Sequence, residues 1–124
     1  MNKKENKLTD QQFHVLREGG TEPAFSGIYC DHKENGMYKC ASCNTDLFSS
    51  NTKFDSGSGW PSFYDSVDKS KIKEVLDKSH GMVRTEVRCA NCDGHLGHLF
   101  TDGPEETGLR YCVNSASLNF EKGD

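Results

Sequence analysis

The sequence predicts a small, mainly β domain with a short helical layer at its N-terminus. From Gly36 onward, short β-prone runs alternate with glycine, asparagine, aspartate and serine, as in antiparallel strands joined by turns. The chain has 124 residues, a length that favours one domain over residues 1–124. Only 33% of the residues are hydrophobic, and six are cysteine. So few hydrophobic residues build a small core, which needs a metal or disulfide cross-link. We therefore expect the cysteines to stabilise the fold.

The N-terminal layer is predicted to contain one short packing helix. Thr9 and Gln12 have the spacing of a capping box, and Gly19 and Gly20 provide a stop signal. Phe13 and Leu16 fall on one face of that helix, which we expect to pack against the domain. Residues 1–7 are polar and are expected to form a flexible tail.

The predicted strands follow in order along the rest of the chain. They cover residues 37–40, 47–48, 82–88, 98–101, 109–114 and 118–120. The segment 69–78 is ambiguous, because Ile72, Val75 and Leu76 have a helix-like spacing. A short helix and an irregular crossover both fit that segment.

Charge and hydropathy exclude several function classes. A formal net charge of −4 argues against a nucleic-acid binder that depends on phosphate contacts. No apolar run approaches the roughly 20 residues of a membrane span. The polar start has no apolar segment behind it, so no secretory signal is predicted. We therefore expect a reducing, cytoplasmic compartment.

Four of the six cysteines form two pairs, Cys40 with Cys43 and Cys89 with Cys92. Two intervening residues let one tight turn direct both sulfurs at a single ion, and two such turns complete a tetrahedral zinc site. A thioredoxin-like redox motif would instead open a helix within a βαβ unit, and no such unit is visible. A three-disulfide framework is typical of a secreted protein, and it fits this sequence less well because no secretory signal is predicted. Four protein ligands leave zinc no open position, so the one predicted ion is structural.

The two remaining cysteines are Cys30 and Cys112. If residues 109–117 form a strand, alternation places Arg110, Cys112 and Asn114 on one face. A buried structural cysteine would have apolar neighbours at these positions, and a nearby cation lowers a thiol pKa. Cys112 is therefore the candidate nucleophile, and Cys30 is either inert or its redox partner.

Two further segments are rich in functional residue types. Residues 55–63 form a glycine-rich loop that carries Trp60, the only tryptophan, either as an exposed aromatic face or as a core anchor. His95 and His98 flank a glycine, where neutral imidazoles can donate and accept protons. These two histidines do not predict a second zinc site, because no third ligand has a matching spacing.

Four sequence blocks resemble the signatures of peptide-methionine (R)-S-oxide reductases, the MsrB type. They are GSGWPSF at 57–63, SHGM at 79–82, RCANCDGHLGH at 88–98 and RYCVNSASL at 110–118. TEP at 21–23 and FSG at 25–27 match as well. The resemblance runs over residues 8–120 and implies two packed antiparallel sheets, a fold known as the β-tent.

The resemblance also implies roles for individual residues. Cys112 matches the catalytic cysteine, and Arg110 matches the arginine that favours its thiolate. The polar residues that hold and protonate the sulfoxide oxygen in the family correspond to His95, His98 and Asn114 of this chain. The implied substrate site comprises Trp60, which receives the methyl group, together with His80 and Phe63. The implied zinc ligands are Cys40, Cys43, Cys89 and Cys92.

One position departs from the family pattern. Many members carry a resolving cysteine where this chain has Ser58. We therefore predict that Cys30 resolves a Cys112 sulfenic acid as a Cys30–Cys112 disulfide, which thioredoxin, as the resemblance suggests, would reduce. Such a bridge needs Cα atoms within roughly 7 Å, so the Cys30 loop must approach Cys112. Alternatively, an external thiol reduces the sulfenic acid directly.

The predicted activity is the thiol-dependent reduction of methionine-(R)-sulfoxide in peptides or proteins by a monomeric enzyme. The main alternative is a non-catalytic zinc-ribbon-like binding module, which would leave the Cys112 strand and the histidine pair unexplained. A general thiol–disulfide oxidoreductase would need a redox-active CxxC pair, and both pairs have a metal-ligand pattern.

Overall fold

The computed structural model describes residues 7–78 and 81–123. Within these ranges it has one α-helix, α1 (Asp10–Glu18). The helix is followed by nine strands and by short 3-10 turns. The strands are β1 (Gly36–Cys40), β2 (Asp46–Ser49), β3 (Lys53–Phe54), β4 (Ser62–Phe63), β5 (Ile72–Asp77), β6 (Arg84–Cys89), β7 (His95–Phe100), β8 (Arg110–Val113) and β9 (Leu118–Lys122).

The strands form two antiparallel sheets, which confirms the predicted fold class. The smaller sheet has the order β2-β1-β9, and the larger has the order β3-β4-β8-β7-β6-β5. A 3-10 turn at Ser115–Ser117 carries the chain from β8 in the larger sheet to β9 in the smaller one. β8 lies in the interior of its sheet, so Tyr111 and Cys112 have paired neighbours on both sides.

The core is built around four buried aromatic rings. Tyr38 and Phe48 come from the smaller sheet, and Phe63 and Tyr111 come from the larger one. Phe48 stacks on Phe63 with ring centroids 4.5 Å apart and an interplanar angle of 13°. Tyr38 meets Phe63 edge-on at 5.2 Å. Large aromatic rings bury much apolar surface per residue, which offsets the low count of apolar residues.

Helix α1 has the predicted cap and a different buried face. Thr9 and Gln12 form the capping box, and Gly19 ends the helix in a left-handed conformation. Val15 and Leu16 are buried, whereas Phe13 is 50% exposed. The prediction that Phe13 packs with Leu16 is therefore wrong, because the helix turns Val15 toward the domain.

The ambiguous segment 69–78 is neither a helix nor an irregular crossover. After a 3-10 turn at Lys69–Lys71, it forms β5, the edge strand paired with β6 from Ile72 to Asp77. Ile72 is buried, but Leu76 on the same strand is 62% exposed. Alternation puts both side chains on one face, so that face is covered at Ile72 and open at Leu76, and apolar spacing alone misdirected the prediction.

No helix in the described ranges is both long and apolar enough to cross a membrane.

Candidate active site and metal centre

The four paired cysteines converge at one point between the two sheets. Their sulfur atoms all lie within 4.8 Å of one another. Cys40 is 3.6 Å from Cys92, and Cys43 is 3.6 Å from Cys89, measured between Sγ atoms. Four sulfurs that each bind one zinc at 2.3 Å in a tetrahedron lie about 3.8 Å apart. The donor set and its spacing therefore fit a zinc ion.

Both cysteine pairs sit on the same type of turn. In the first turn, the Asn44 N–H donates to the Cys40 carbonyl, and the Cys40 N–H donates to the Thr45 carbonyl. The second turn repeats both bonds around Cys89, with Asp93 in the place of Asn44. Asn44 and Asp93 both have φ of 64°, a left-handed conformation that these two residue types tolerate better than most.

Helix α1 ties the two turns together. Arg17 donates to the Cys92 carbonyl at 2.9 Å and to the Ser42 hydroxyl at 2.5 Å, so one guanidinium bridges both. Hydrogen bonds to neighbouring sulfurs, followed by burial, raise the pKa of the Cys40 thiol. A bound cation would reverse that preference, because metal ligation needs the thiolate.

Cys112 lies in the middle of the larger sheet, with functional groups on both neighbouring strands. It pairs with Ser62 on β4 and with His98 on β7. A Cβ atom at Gly97 would collide with the Cys112 carbonyl, so only glycine permits this approach of β7 to β8. The register therefore sets His98 beside the cysteine.

A chain of serine hydroxyls lies against the Cys112 sulfur. Ser58 Oγ is 3.6 Å from Cys112 Sγ, and the Ser56 hydroxyl bonds both Ser58 at 2.9 Å and Ser62 at 2.7 Å. Hydroxyl donors favour the thiolate form of a nearby sulfur. Ser58, which stands where many MsrB-type reductases have a resolving cysteine, thus contacts the candidate nucleophile directly.

Arg110 acts on Cys112 more weakly than the sequence suggested. Its guanidinium forms two bonds to Asp102, at 2.9 and 3.3 Å, and lies 4.3 Å from the Phe100 ring centroid. Burial raises the pKa of the Cys112 thiol, and the lowering effects of Ser58 and Arg110 are smaller. The local pattern predicted a lowered pKa, and desolvation of the sulfur outweighs the cation.

His98 is held by a carboxylate that comes from the edge strand. Its Nε2 is 2.8 Å from Asp77 Oδ2, and both side chains are mostly buried. Arg84 also binds that oxygen at 3.3 Å. A carboxylate at Nε2 keeps a proton on this nitrogen and fixes the orientation of the ring. Nδ1 is then the nitrogen that Asp77 does not engage.

His95 has an equivalent carboxylate but a more enclosed position. Its Nδ1 is 2.7 Å from Glu86 Oε2, and Arg88 binds Glu86 with two bonds of 3.0 Å. Burial lowers the pKa of His95 despite the opposing bond to Glu86. The His95 ring lies 5.7 Å from the His98 ring and lines a different cavity, whereas His98 lines the pocket that contains Cys112.

Asn114 and Trp60 are both anchored to the backbone of Glu22. The Glu22 N–H donates to Asn114 Oδ1 at 3.0 Å, and the Trp60 indole N–H donates to the Glu22 carbonyl at 2.9 Å. Asn114 Nδ2 donates one bond to the Leu96 carbonyl at 3.0 Å. The Glu22 carboxylate is itself buried and accepts the Ala116 N–H at 2.8 Å.

These groups enclose a pocket of about 100 Å³. That volume is well below the roughly 300 Å³ of a site for a drug-sized ligand. It fits the end of one side chain, with a thiol, an imidazole, an amide and an indole around it. The lining residues are Thr21, Trp60, Arg84, Gly97, His98, Phe100, Cys112 and Asn114.

Four of the predicted catalytic, resolving and substrate-binding residues that the structure describes do not line this pocket: His95, Arg110, Phe63 and Cys30. Phe63 is fully buried against Phe48, so its ring has no surface left for a substrate. Cys30 lies beside a separate cavity of about 290 Å³, and its carbonyl accepts a 3.0 Å bond from the Lys53 ammonium. Burial raises the pKa of the Cys30 thiol. His80 lies outside the described residues.

The two carboxylates behind the histidines were not predicted from the sequence. Asp77 lies in the segment whose structure was left open, so its neighbours were unknown. Glu86 left a detectable signal, because Arg84, Glu86 and Arg88 alternate along a predicted strand and must share one face. Such a charged face in a chain with a small core indicates a paired network rather than a solvated surface.

Comparisons with known proteins agree over nearly the whole chain. The family model of the SelR domain matches residues 8–122. A peptide methionine sulfoxide reductase MsrB from Synechococcus sp. (strain RCC307) is 61% identical over 116 residues, which cover 94% of this chain and 85% of that protein.

Two more relatives carry the same name. The protein from Thiobacillus denitrificans (strain ATCC 25259 / T1) is 57% identical over 118 residues, which cover 95% of this chain and 89% of the relative. The protein from Pseudomonas aeruginosa (strain UCBPP-PA14) is 60% identical over 112 residues, with 90% and 85% covered.

Proposed function

This chain belongs to the SelR domain family of MsrB-type peptide methionine sulfoxide reductases, and from that premise we propose how its pocket performs the reaction. It is a peptide-methionine (R)-S-oxide reductase that converts methionine-(R)-sulfoxide to methionine. The observation that carries the proposal is the convergence of Cys112, His98, Asn114 and Trp60 on one small pocket. No feature of the chain favours the non-catalytic zinc-ribbon-like alternative.

In the first step, the Cys112 sulfur attacks the sulfoxide. The sulfoxide oxygen is a poor leaving group until it accepts a proton, and His98, supported by Asp77, is the group placed to donate one. The Cys112 sulfur bonds to the substrate sulfur while the protonated oxygen departs as water, and a water molecule then displaces methionine from Cys112, which is left as a sulfenic acid. The thiol loses two electrons and the sulfoxide gains them, so the step balances without a cofactor.

Substrate orientation follows from the remaining walls of the pocket. The second N–H of the Asn114 amide is available to the sulfoxide oxygen, since the first donates to Leu96. Trp60, fixed through its indole N–H, offers an apolar face to the methyl group. With the methyl group on one side and the oxygen on the other, the pocket accepts one epimer at sulfur. Membership of the family identifies that epimer as R.

Arg110 and His95 support the reaction from further away. Arg110 lowers the cost of forming the Cys112 thiolate, within the limits that Asp102 imposes. His95 and its carboxylate Glu86 back the His98 ring. Cys40, Cys43, Cys89 and Cys92 would hold one zinc ion that supplies structural cross-linking.

Cys30 is proposed to resolve the Cys112 sulfenic acid. Its thiol would displace water from the sulfenic sulfur and form a Cys30–Cys112 disulfide. The two cysteines lie beside different cavities, so we expect residues 27–30 to move before the bridge forms. Three bonds tie that segment to the rest of the protein: from Tyr29 N–H to Ser115 Oγ at 3.2 Å, from Phe120 N–H to the Tyr29 hydroxyl at 3.2 Å, and from the Lys53 ammonium to the Cys30 carbonyl at 3.0 Å.

A dithiol reductant then reduces the disulfide and releases the enzyme. We propose thioredoxin for this role. We also propose that the reductase is a monomer and that it works in the cytoplasm, where it repairs proteins damaged by oxidative stress. A metal site built from four cysteines suits a reducing compartment. His80 is proposed to line the substrate site, as the resemblance implies.

The activity is tested with separated methionine sulfoxide epimers in dithiothreitol. The wild-type protein is expected to reduce the R epimer and to leave the S epimer. Cys112→Ser is expected to abolish reduction, and Cys30→Ser is the matched cysteine control, because dithiothreitol reduces the sulfenic acid without Cys30. Substantial reduction by Cys112→Ser would overturn the mechanism, and a wild-type protein inactive on both epimers would favour the binding module.

The resolving role is tested separately by peptide mapping. One turnover with sulfoxide, without added reductant, is expected to yield a Cys30–Cys112 disulfide. Cys30→Ser should still release one methionine per enzyme in the first turnover but lose turnover with thioredoxin. If no such linkage forms in the wild-type protein, an external thiol reduces the sulfenic acid instead.

A further inference from the structure

We propose that Phe25 is a contact surface for the residue next to the oxidised methionine in peptide and protein substrates. The inference rests on the proposed reductase function and extends it to the rim of the pocket. Phe25 is 72% exposed, although phenylalanine is an apolar side chain that gains from burial. An exposed aromatic ring at the edge of an active site offers large contact area with little loss of conformational freedom on binding.

The backbone holds Phe25 in a conformation that few side chains adopt. Its φ is 65°, in the left-handed region, where bulky non-glycine residues are rare. Such outliers persist where surrounding contacts hold them, and they concentrate at functional sites. A glycine would adopt this conformation freely, so the presence of phenylalanine indicates that the ring is useful there.

Phe25 is fixed directly to the loop that carries Trp60. Its N–H donates to the Gly59 carbonyl at 2.7 Å. Two of its ring carbons would lie 3.0 Å from a Cβ atom at Gly59, so the ring rests on this glycine. Gly59 has φ of 94° and immediately precedes Trp60. The ring is therefore positioned one residue from the indole that lines the pocket.

The same segment forms part of the pocket wall. Thr21 lines the pocket, and the backbone of Glu22 binds both Trp60 and Asn114. The bond from Phe25 to Gly59 closes the other end of this segment. Residues 21–25 thus connect the groups that hold the sulfoxide to the exposed ring, so the position of Phe25 is set relative to the substrate.

The size of the pocket determines what Phe25 meets. A volume of about 100 Å³ accommodates the sulfoxide end of one methionine and little else. The peptide backbone and the neighbouring side chains must therefore lie outside, on the rim. A phenyl ring there favours an apolar neighbour, because it has neither charge nor hydrogen-bonding groups to offer. The inferred occupant is a peptide with an apolar residue beside methionine-(R)-sulfoxide.

The test compares three substrates of the R epimer in dithiothreitol, so that the Cys30 step does not limit the rate. They are N-acetyl-methionine sulfoxide, a peptide with leucine on both sides of the sulfoxide, and the same peptide with glycine there. Phe25→Gly removes the ring without strain, and Phe25→Tyr retains an aromatic surface. Ile28→Ala is the matched control, because Ile28 is 77% exposed on the same stretch but lines a different cavity.

Phe25→Gly is expected to raise KM for the leucine peptide about fivefold, because one aromatic contact is lost, and to leave kcat unchanged. KM for the other two substrates should change less than twofold, and Phe25→Tyr should retain the preference. Equal loss on all three substrates would mean that Phe25 only supports Trp60, and unchanged KM for the leucine peptide would also overturn the inference. A wild-type protein inactive on every substrate would overturn the proposed function itself.

Discussion

The hydrogen bond between Asp77 and His98 gives a quantitative prediction for the chemical step. Asp77→Asn keeps the shape of the side chain and removes the negative charge 2.8 Å from His98 Nε2. Both partners are mostly buried, with side chains 15% and 19% exposed, so solvent screens the contact only in part. A hydrogen bond to a charged group contributes about 1.5–3 kcal/mol. At 1.36 kcal/mol per factor of ten, its loss slows the step about 10- to 150-fold.

The assay is a single turnover of reduced enzyme with excess methionine-(R)-sulfoxide, in which released methionine is quantified over time. The first turnover excludes the resolving and reductant steps, so the rate constant reports on sulfoxide reduction. Asp46→Asn is the matched control, because Asp46 pairs with Lys39 at 3.4 Å on the smaller sheet, away from the pocket. Thermal unfolding checks that both variants remain folded.

A folded Asp77→Asn variant with a rate constant within twofold of the wild type would refute the reasoning. His98 would then act without its carboxylate, or another residue would donate the proton. A large rise in KM with unchanged kcat would also contradict it, because Asp77 would then serve binding instead of proton transfer.

Three further predictions concern the thiol, the metal and the core. Arg110→Gln is expected to slow iodoacetamide alkylation of Cys112 at neutral pH and to move its pH profile upward, because the guanidinium lowers the thiol pKa and only the thiolate reacts. Cys89→Ser should release zinc, measured with a chromogenic chelator, and destabilise the protein by about 4 kcal/mol or more, because a structural metal contributes its binding energy to folding. Phe63→Leu should lower the free energy of unfolding by about 1–2 kcal/mol and leave kcat/KM unchanged, because the ring stacks on Phe48 in the core.

Each of these has a contrary outcome and a control. An unchanged alkylation profile would mean that Asp102 neutralises Arg110 completely, and Lys73→Gln controls for the loss of a distant positive charge on the edge strand. A stable, zinc-loaded Cys89→Ser protein would exclude the four-cysteine site. A marked rise in KM for Phe63→Leu would restore a substrate role to that ring.

Local patterns predicted the features whose causes are local. The capping box at Thr9, the metal-ligand spacing and the shared face of the Cys112 strand each depend on residues a few positions apart. The structure has all three in place. The alternation that placed Arg110 and Cys112 together also explains why His98 can face the same pocket, since β7 pairs with β8.

Features set by strand pairing could not be derived from one sequence. Asp77 reaches His98 only because β5 pairs with β6 and β6 pairs with β7, and the segment 69–78 had no decisive local pattern. Phe63 shares a sequence block with Trp60, yet its neighbour across the core is Phe48 from the other sheet. Similarly, the pKa of Cys112 depends on burial, which charge at neighbouring positions does not report.

The two halves of the metal site belong to different sheets, and this has a consequence for the order of folding. Cys40 ends β1 of the smaller sheet, and Cys89 ends β6 of the larger one. Neither sheet alone can present four thiolates, so full-affinity zinc capture must wait until both have docked. Zinc uptake should therefore follow the slow, non-local part of folding. A chain whose sheets fail to dock would lack the complete four-cysteine site.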